Sequence, residues 1–322
     1  MRAFAFIGAV VASLAASEPA AARFGDGFAS ADLAAYLDNP AKNGTLALVR
    51  ADGMRGKRAL RLKDKAQATF KMVPVDEDTK YTLTLRARFD GGEALEDNPR
   101  FDTFVTDGSK PPMLPHREIE FYDASRKRVR GRGSFASAMP LRAWQSYRDT
   151  FYPPMRAAFA KLIIRTPRAG LTCYVDDVKL EKTPDEGAIN CNPVQGRYGL
   201  YDYSGWRRPA SGGKIVRLDD GKIVFDTKYG TGGMTFPLSR GGTYALSAKR
   251  TGNGYNSVVI VHFLNGGLKK VGEVALRGSG PRYFLLPDGV KRGAFLVYSN
   301  LLEEVRLNRI GDEKKINEVR AK

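Results

Sequence analysis

The sequence predicts an all-β chain, two tandem β-sandwich (jelly-roll) domains that follow a signal peptide. Three observations carry that reading. Most of the chain consists of short runs in which apolar and polar residues alternate, bounded by Gly, Pro, Asp and Asn. Segments of the first half recur in the same order in the second half. The N-terminus is an apolar leader that belongs to neither half.

The leader comes first. Arg2 supplies a positive start, "AFAFIGAVVASLAA" (3–16) an apolar stretch, and Ala20–Ala22 a small-residue cleavage site, so residues 1–22 read as a removed export signal. Cleavage would take away Arg2 and Glu18, one charge of each sign, and leave the net charge at +17. "SADLAAYL" (30–37) has Ser30 as a helix N-cap and room for two turns. The strand candidates of the first domain (23–182) are "YTLTLRARF" (81–89), "REIEFYD" (117–123), "AKLIIRT" (160–166) and "TCYVDDVKLE" (172–181). A linker is expected over 183–194, which holds Pro184, Gly187 and Pro193. The second domain (195–311) offers "KIVFDTK" (222–228), "YALSAKR" (244–250), "SVVIVHFLN" (257–265) and "AFLVYSN" (294–300); residues 312–322 form a charged tail.

The internal repeat rests on four matches. "TKYTLTLRAR" (79–88) pairs with "GTYALSAKR" (242–250), and "EFYDASRKRV" (120–129) with "HFLNGGLKKV" (262–271). "YRDTFYPPMRAAFAKLII" (147–164) parallels "YFLLPDGVKRGAFLVY" (283–298), and "YVDDVKLEK" (174–182) parallels "LEEVRLNRI" (302–310). Each pair would be one strand or hairpin of a duplicated fold, with a longer loop at about 90–116 in the first copy.

Composition narrows function. A charge of +17 favours anionic partners, and export turns that preference toward polysaccharide and away from nucleic acid. No run after the leader approaches the roughly 18 apolar residues of a membrane span, so a secreted, periplasmic or cell-surface location is expected. Two histidines are too few for a His-rich metal site. The two cysteines, Cys173 and Cys191, could close a disulfide in an oxidising compartment.

The order "GKRALRL" (56–62), "YTLTLRAR" (81–88), "IEFYD" (119–123), "WQSYRDTF" (144–151) and "CYVDDVKLE" (173–181) resembles the CenC-like carbohydrate-binding modules of the galactose-binding-like superfamily. The resemblance covers about 130 residues of the first domain and, more loosely, about 120 of the second. It implies a two-sheet sandwich, a sugar-binding role, and Trp144 in the core. It also implies that an aspartate at the Asp177 position can help hold a structural calcium, with Asp26 of "FGDGF" (24–28) as the nearest partner. No other cofactor is expected.

Three groups of side chains stand out. "GRYGLYDYSGWRRP" (196–209) interleaves aromatics with arginines: Tyr201, Tyr203 and Trp206 could stack on sugar faces while Arg207 forks onto a carboxylate or sulfate. "SRKRVRGRG" (125–133) puts Arg126, Arg128 and Arg130 in one basic cluster. "EIEFYD" aligns Glu118 and Glu120 on one strand face ahead of Asp123, an acid pattern used by some jelly-roll glycosidases. Only Trp144 and Trp206 exist to build an aromatic cleft, so the acids read better as exposed partners of nearby arginines. The expectation is a non-catalytic polysaccharide-binding protein that prefers anionic glycans. The alternatives are an envelope assembly protein that binds other proteins, and a jelly-roll hydrolase or lyase. Strict alternation in "YVDDVKL" would put Val175, Asp177 and Lys179 on one face and Tyr174, Asp176, Val178 and Leu180 on the other.

Overall fold

The computed structural model describes residues 24, 28–38, 45–92, 114–129, 135–139, 141–183, 188–191, 214–217, 223–226, 231–238, 241–251, 258–278, 280–298 and 301–311. The leader, Asp26, Arg130, the 196–209 segment and the tail lie outside them.

Antiparallel strands dominate. The first half holds β1 (Thr45–Val49), β2 (Ala59–Lys63), β3 (Gln67–Thr69), β4 (Val73–Pro74) and β5 (Tyr81–Asp90). It continues with β6 (His116–Tyr122), β7 (Phe135–Ala138), β8 (Gln145–Phe151), β9 (Phe159–Arg165) and β10 (Thr172–Lys182). The first sheet runs β1-β2-β10-β5-β8; the second runs β3-β9-β6-β7, with β4 also on β9. The expected two-turn helix at 30–37 is a single 3-10 turn, Leu33–Ala35. Its cap is Asp32, which accepts from the Ala34 amide, while Ser30 accepts from the Asp32 amide.

The second half holds β11 (Ala188–Cys191), β12 (Lys214–Arg217), β13 (Ile223–Asp226), β14 (Thr231–Pro237) and β15 (Thr243–Thr251). It ends with β16 (Val258–Leu264), β17 (Lys270–Arg277), β18 (Arg282–Leu285), β19 (Arg292–Tyr298) and β20 (Leu301–Gly311). Its sheets run β12-β13-β20-β15-β18 and β14-β19-β16-β17. Strand for strand, these are the orders of the first half. β11 is an addition that pairs with β20, so the segment expected as a linker contributes a strand to the third sheet.

The duplication extends to turn chemistry. In the β6–β7 connection the Asp123 carboxylate accepts from the Ser125 and Lys127 amides, and Arg126 takes φ 60°. In the β16–β17 connection the Asn265 side chain accepts from the Gly267 and Lys269 amides, and Leu268 takes φ 60°. Asp and Asn both fold such turns by accepting backbone N–H bonds.

In each half the two sheets face one another through aromatics. Phe121 of β6 meets Phe151 of β8 edge-on at 5.6 Å, and Phe263 of β16 meets Phe284 of β18 at 5.4 Å. One ion pair sits inside this apolar layer. Arg117 of β6 donates to Asp149 of β8 at 2.5 and 2.8 Å, and its guanidinium lies 5.1 Å from the Tyr147 ring. Both side chains are inaccessible, so each charge depends on the other. The halves also touch: buried Arg292 of β19 donates to the carbonyls of Pro153 and Glu77. Burial, partly opposed by the charges of Asp78 and Glu77, lowers the Arg292 pKa.

The expected Cys173–Cys191 disulfide is not formed. Cys173 is a free, fully buried thiol in the first sheet, whereas Cys191 belongs to β11 of the third. Burial, reinforced by Asp90, raises the Cys173 thiol pKa far above its ordinary value.

β10 also departs from strict alternation. Its register against β5 slips between Asp176 and Lys179, and Asp177 takes φ 52°. This is a β-bulge, which adds a residue and resets the faces. Cys173, Val175, Val178 and Leu180 are all buried in the core, while Tyr174, Asp176 and Lys179 lie outward. Val175 therefore shares the core face with Val178 and Leu180 rather than a face with Asp177.

Candidate functional site

Along β6, Arg117, Ile119 and Phe121 point into the sandwich, and His116, Glu118, Glu120 and Tyr122 point away from it. Pairing brings matching outward residues alongside. Arg165 of β9 lies between Gln67 of β3 and His116, and Lys161 lies opposite Glu120. The outer face of the second sheet is thus a polar platform across three strands.

Its side chains hold one another in place. Glu118 accepts from Arg165 Nε and from His116 Nε2, both at 3.2 Å, and Arg165 Nη1 also donates to the Gln67 side-chain Oε1. His116 Nδ1 lies 3.2 Å from the Leu114 carbonyl. Glu120 accepts from the Tyr122 hydroxyl at 2.7 Å and pairs with Arg128 at 2.8 Å. Lys161 pairs with Asp38 at 2.7 Å, and its ammonium lies 5.3 Å from the Tyr122 ring centroid. Arg126 stands 6.0 Å from the Phe159 ring.

Electrostatics follow from these contacts. Burial alone would raise the Glu118 carboxyl, but the His116 hydrogen bond and the Arg165 charge outweigh it and hold the pKa below its ordinary value. Burial, then the bond to Glu120, pushes the Tyr122 phenol up to about 12. Its hydroxyl therefore remains a donor at neutral pH.

The structure brings some of the expected residues together. Arg126 and Arg128 reach the rim of this platform, and Glu118 and Glu120 share its face. Asp123 does not join them, since its carboxylate folds the turn. The acids thus stand in separate pairs with basic residues. Tyr201, Tyr203, Trp206, Arg207 and Arg130 lie outside the described residues, as does Asp26. Asp177 sits on the bulge and pairs with Lys179 at 2.6 Å. Among the described residues no group of three or more His, Cys, Asp or Glu could hold a metal ion. Asp176, not Asp177, is the buried acid: it accepts from the amides of Arg55, Gly56 and Asp177. Trp144, expected in the core, is half-buried on the outer face of the first sheet. Arg86 and Arg88 lie against it there, with Tyr174 on the far side of Arg88, and the alternating "RAR" of β5 was the arginines' only signal in the sequence.

No family model matches the chain, and no curated protein matches it. Among solved structures it is similar to the enzymatically active domain of bacteriophage CBA120 tailspike protein 4, with 13% identity over 44% of this chain and a TM-score of 0.32. The match spans 18% of that protein. A family 16 carbohydrate-binding module matches 43% of this chain and 86% of its own length, with 14% identity and a TM-score of 0.30. The tandem CBM22-1–CBM22-2 domain of Xyn10C from Paenibacillus barcinonensis matches 84% of this chain and 92% of its own length, with 11% identity and a TM-score of 0.33. Among the described residues no helix is long and apolar enough to cross a membrane.

Proposed function

We propose that this is an exported, non-catalytic protein that binds polysaccharide on the outer face of the second sheet and prefers anionic glycans. One observation carries the reading: Glu120, Arg128 and Lys161 are fixed around Tyr122, and Glu118, Arg165, His116 and Gln67 are fixed together farther along the same face. Sugar hydroxyls both donate and accept, so a surface that offers both in fixed positions suits them. An aromatic ring adds a stacking partner for the apolar face of a sugar. The anionic preference rests on Arg126, Lys127 and Arg128 at the rim and on the +17 of the whole chain. The sequence motifs that resemble CenC-like modules agree with it.

Affinity electrophoresis of the full chain through gels of neutral and acidic glycans tests this. Retention should fall with added salt for acidic glycans, since exposed charges are screened over about 8–10 Å. Tyr122→Ala should weaken retention on every glycan bound at this face by about tenfold or more. A chain that no glycan retains at low salt refutes the proposal.

A further inference from the structure

The opposite sheet carries a second arrangement of charge and aromaticity. On the outer face of the first sheet, Arg61 of β2 pairs with Tyr174 of β10, and Tyr174 pairs with Arg88 of β5. Trp144, one residue before β8, continues the row, because Gln145 pairs with Ala87. Arg, Tyr, Arg and Trp therefore stand side by side across four neighbouring strands, a row of about 14 Å at the usual strand spacing.

The contacts fix the geometry of the row. The Arg88 guanidinium lies 4.4 Å from the Tyr174 ring and 5.9 Å from the Trp144 ring. Arg86, one step along β5 on the same face, lies 5.5 Å from Trp144. Trp144 is held by the 51–54 turn: its indole N–H donates to the Asp52 carbonyl. Gly53 has φ 75°, and a Cβ there would stand 2.8 Å from the Trp144 ring, so the turn needs glycine to close on the indole.

The arginines are under-used. Nε of Arg61 and Nε of Arg88 are both buried without a hydrogen-bond partner among the described residues. Arg61 makes no ion pair among them either; Arg88 binds Asp90 through Nη1 at 2.7 Å. Buried donors left unpaired are costly, and a guanidinium edge matches the two oxygens of a carboxylate or sulfate. Asp176 lies on this face, but its oxygens are taken by the amides of Arg55, Gly56 and Asp177.

We infer that the Arg61–Tyr174–Arg88–Trp144 row is a second binding site, for a glycan whose sugars carry carboxylate or sulfate. The anionic groups dock on Arg61 and Arg88, and the Tyr174 ring between them and the Trp144 ring at the end of the row stack against sugar faces. A lone small anion would not need four strands. This rests on the reading of the protein as a glycan binder, but it uses the opposite sheet from the Tyr122 platform.

Titration calorimetry of the full chain with polygalacturonate, dextran sulfate, polyphosphate and a neutral glycan retained by the Tyr122 face tests it. Arg61→Gln with Arg88→Gln should weaken polygalacturonate or dextran sulfate binding by more than about tenfold. Neutral-glycan affinity should stay within about twofold of the parent. Tyr174→Leu should weaken the acidic glycan alone, with the melting midpoint of every variant confirming that it folds. The inference is overturned if the double variant binds both acidic glycans like the parent, or if polyphosphate binds as tightly as they do. Neutral-glycan binding that persists while neither acidic glycan binds the parent removes this site and the anionic preference, and leaves only neutral-glycan binding at the Tyr122 face standing. Loss of neutral binding alone does the reverse.

Discussion

Replacing Asp176 by Asn separates the two aspartates of "YVDDVKLEK" by their physical roles. Oδ2 of Asp176 accepts from the Arg55 and Gly56 amides at 2.7 and 3.0 Å, and Oδ1 accepts from the Asp177 amide at 2.8 Å. The side chain is fully buried beneath the turn it holds. An asparagine keeps one acceptor oxygen and turns the other into a donor. Either the 55–56 turn or the bulge amide then loses its partner and faces an NH2 group. Hydrogen bonds to a charged group contribute about 1.5–3 kcal/mol each, so Asp176→Asn should cost about 2–4 kcal/mol. Asp177→Asn should cost less than about 1 kcal/mol. Its only ion pair among the described residues, with Lys179, is partly exposed, and asparagine accepts the φ of 52° at that position. Urea unfolding followed by tryptophan emission measures both, because Trp144 bonds to Asp52 in the adjoining turn. Acrylamide quenching should also rise in Asp176→Asn as that turn loosens. The reasoning fails if Asp177→Asn is the more damaging change. It fails equally if calcium raises the unfolding midpoint of the parent and not of Asp177→Asn, since the acid that matters would then be a metal ligand.

Three more outcomes follow from buried and half-buried polar groups. Arg117→Met or Asp149→Leu alone should cost about 3–5 kcal/mol by stranding a charge in the core, whereas the double variant should recover most of that loss; additive losses would show that the pair is not coupled. Tyr122, with its folded pKa raised from 10.0 to about 12, should stabilise the fold fully below about pH 10 and lose that contribution as pH climbs toward 12. Glu118, with its folded pKa lowered, stabilises above its ordinary 4.5 and should lose that contribution as pH falls through the folded value. Unfolding curves of the parent, Tyr122→Phe and Glu118→Gln across both ranges check this, and parallel pH profiles for all three would contradict it.

Period-two alternation made β5, β6 and β9 legible, because one face of each strand packs inward and apolarity reports that face directly. The repeat was legible for a different reason. "YDASRKRV" and "FLNGGLKKV" share little identity, but both place an Asx side chain where it folds the same turn. What stayed hidden was register. Nothing in "YVDDVKL" announces an extra residue, since alternation with Asp176 outward and alternation with Asp177 outward look alike on either side of a bulge. Trp144 failed in the same way. The resemblance to carbohydrate-binding modules implied a core position, and only the pairing of Gln145 with Ala87 puts it beside Arg88. Cys173 and Cys191 are 18 residues apart in the chain, but β10 and β11 belong to different sheets, so parity of count could not foretell their separation.

The bulge is also what connects the two aspartates to the surface. By resetting β10 it leaves Tyr174 and Asp176 outward on the same face, with Val175 and Val178 both in the core. Asp176 then holds the 55–56 amides, the neighbouring 51–54 turn closes on Trp144, and Trp144 backs the Arg86 and Arg88 guanidinium groups. Without the extra residue, the alternation that buries Val175 would bury Asp177 as well, and Val178 would face solvent. Both acids of the pair therefore hold structure in this fold. One acid tolerates the left-handed backbone that the bulge requires, and the other pins the turn that shapes the aromatic–arginine row.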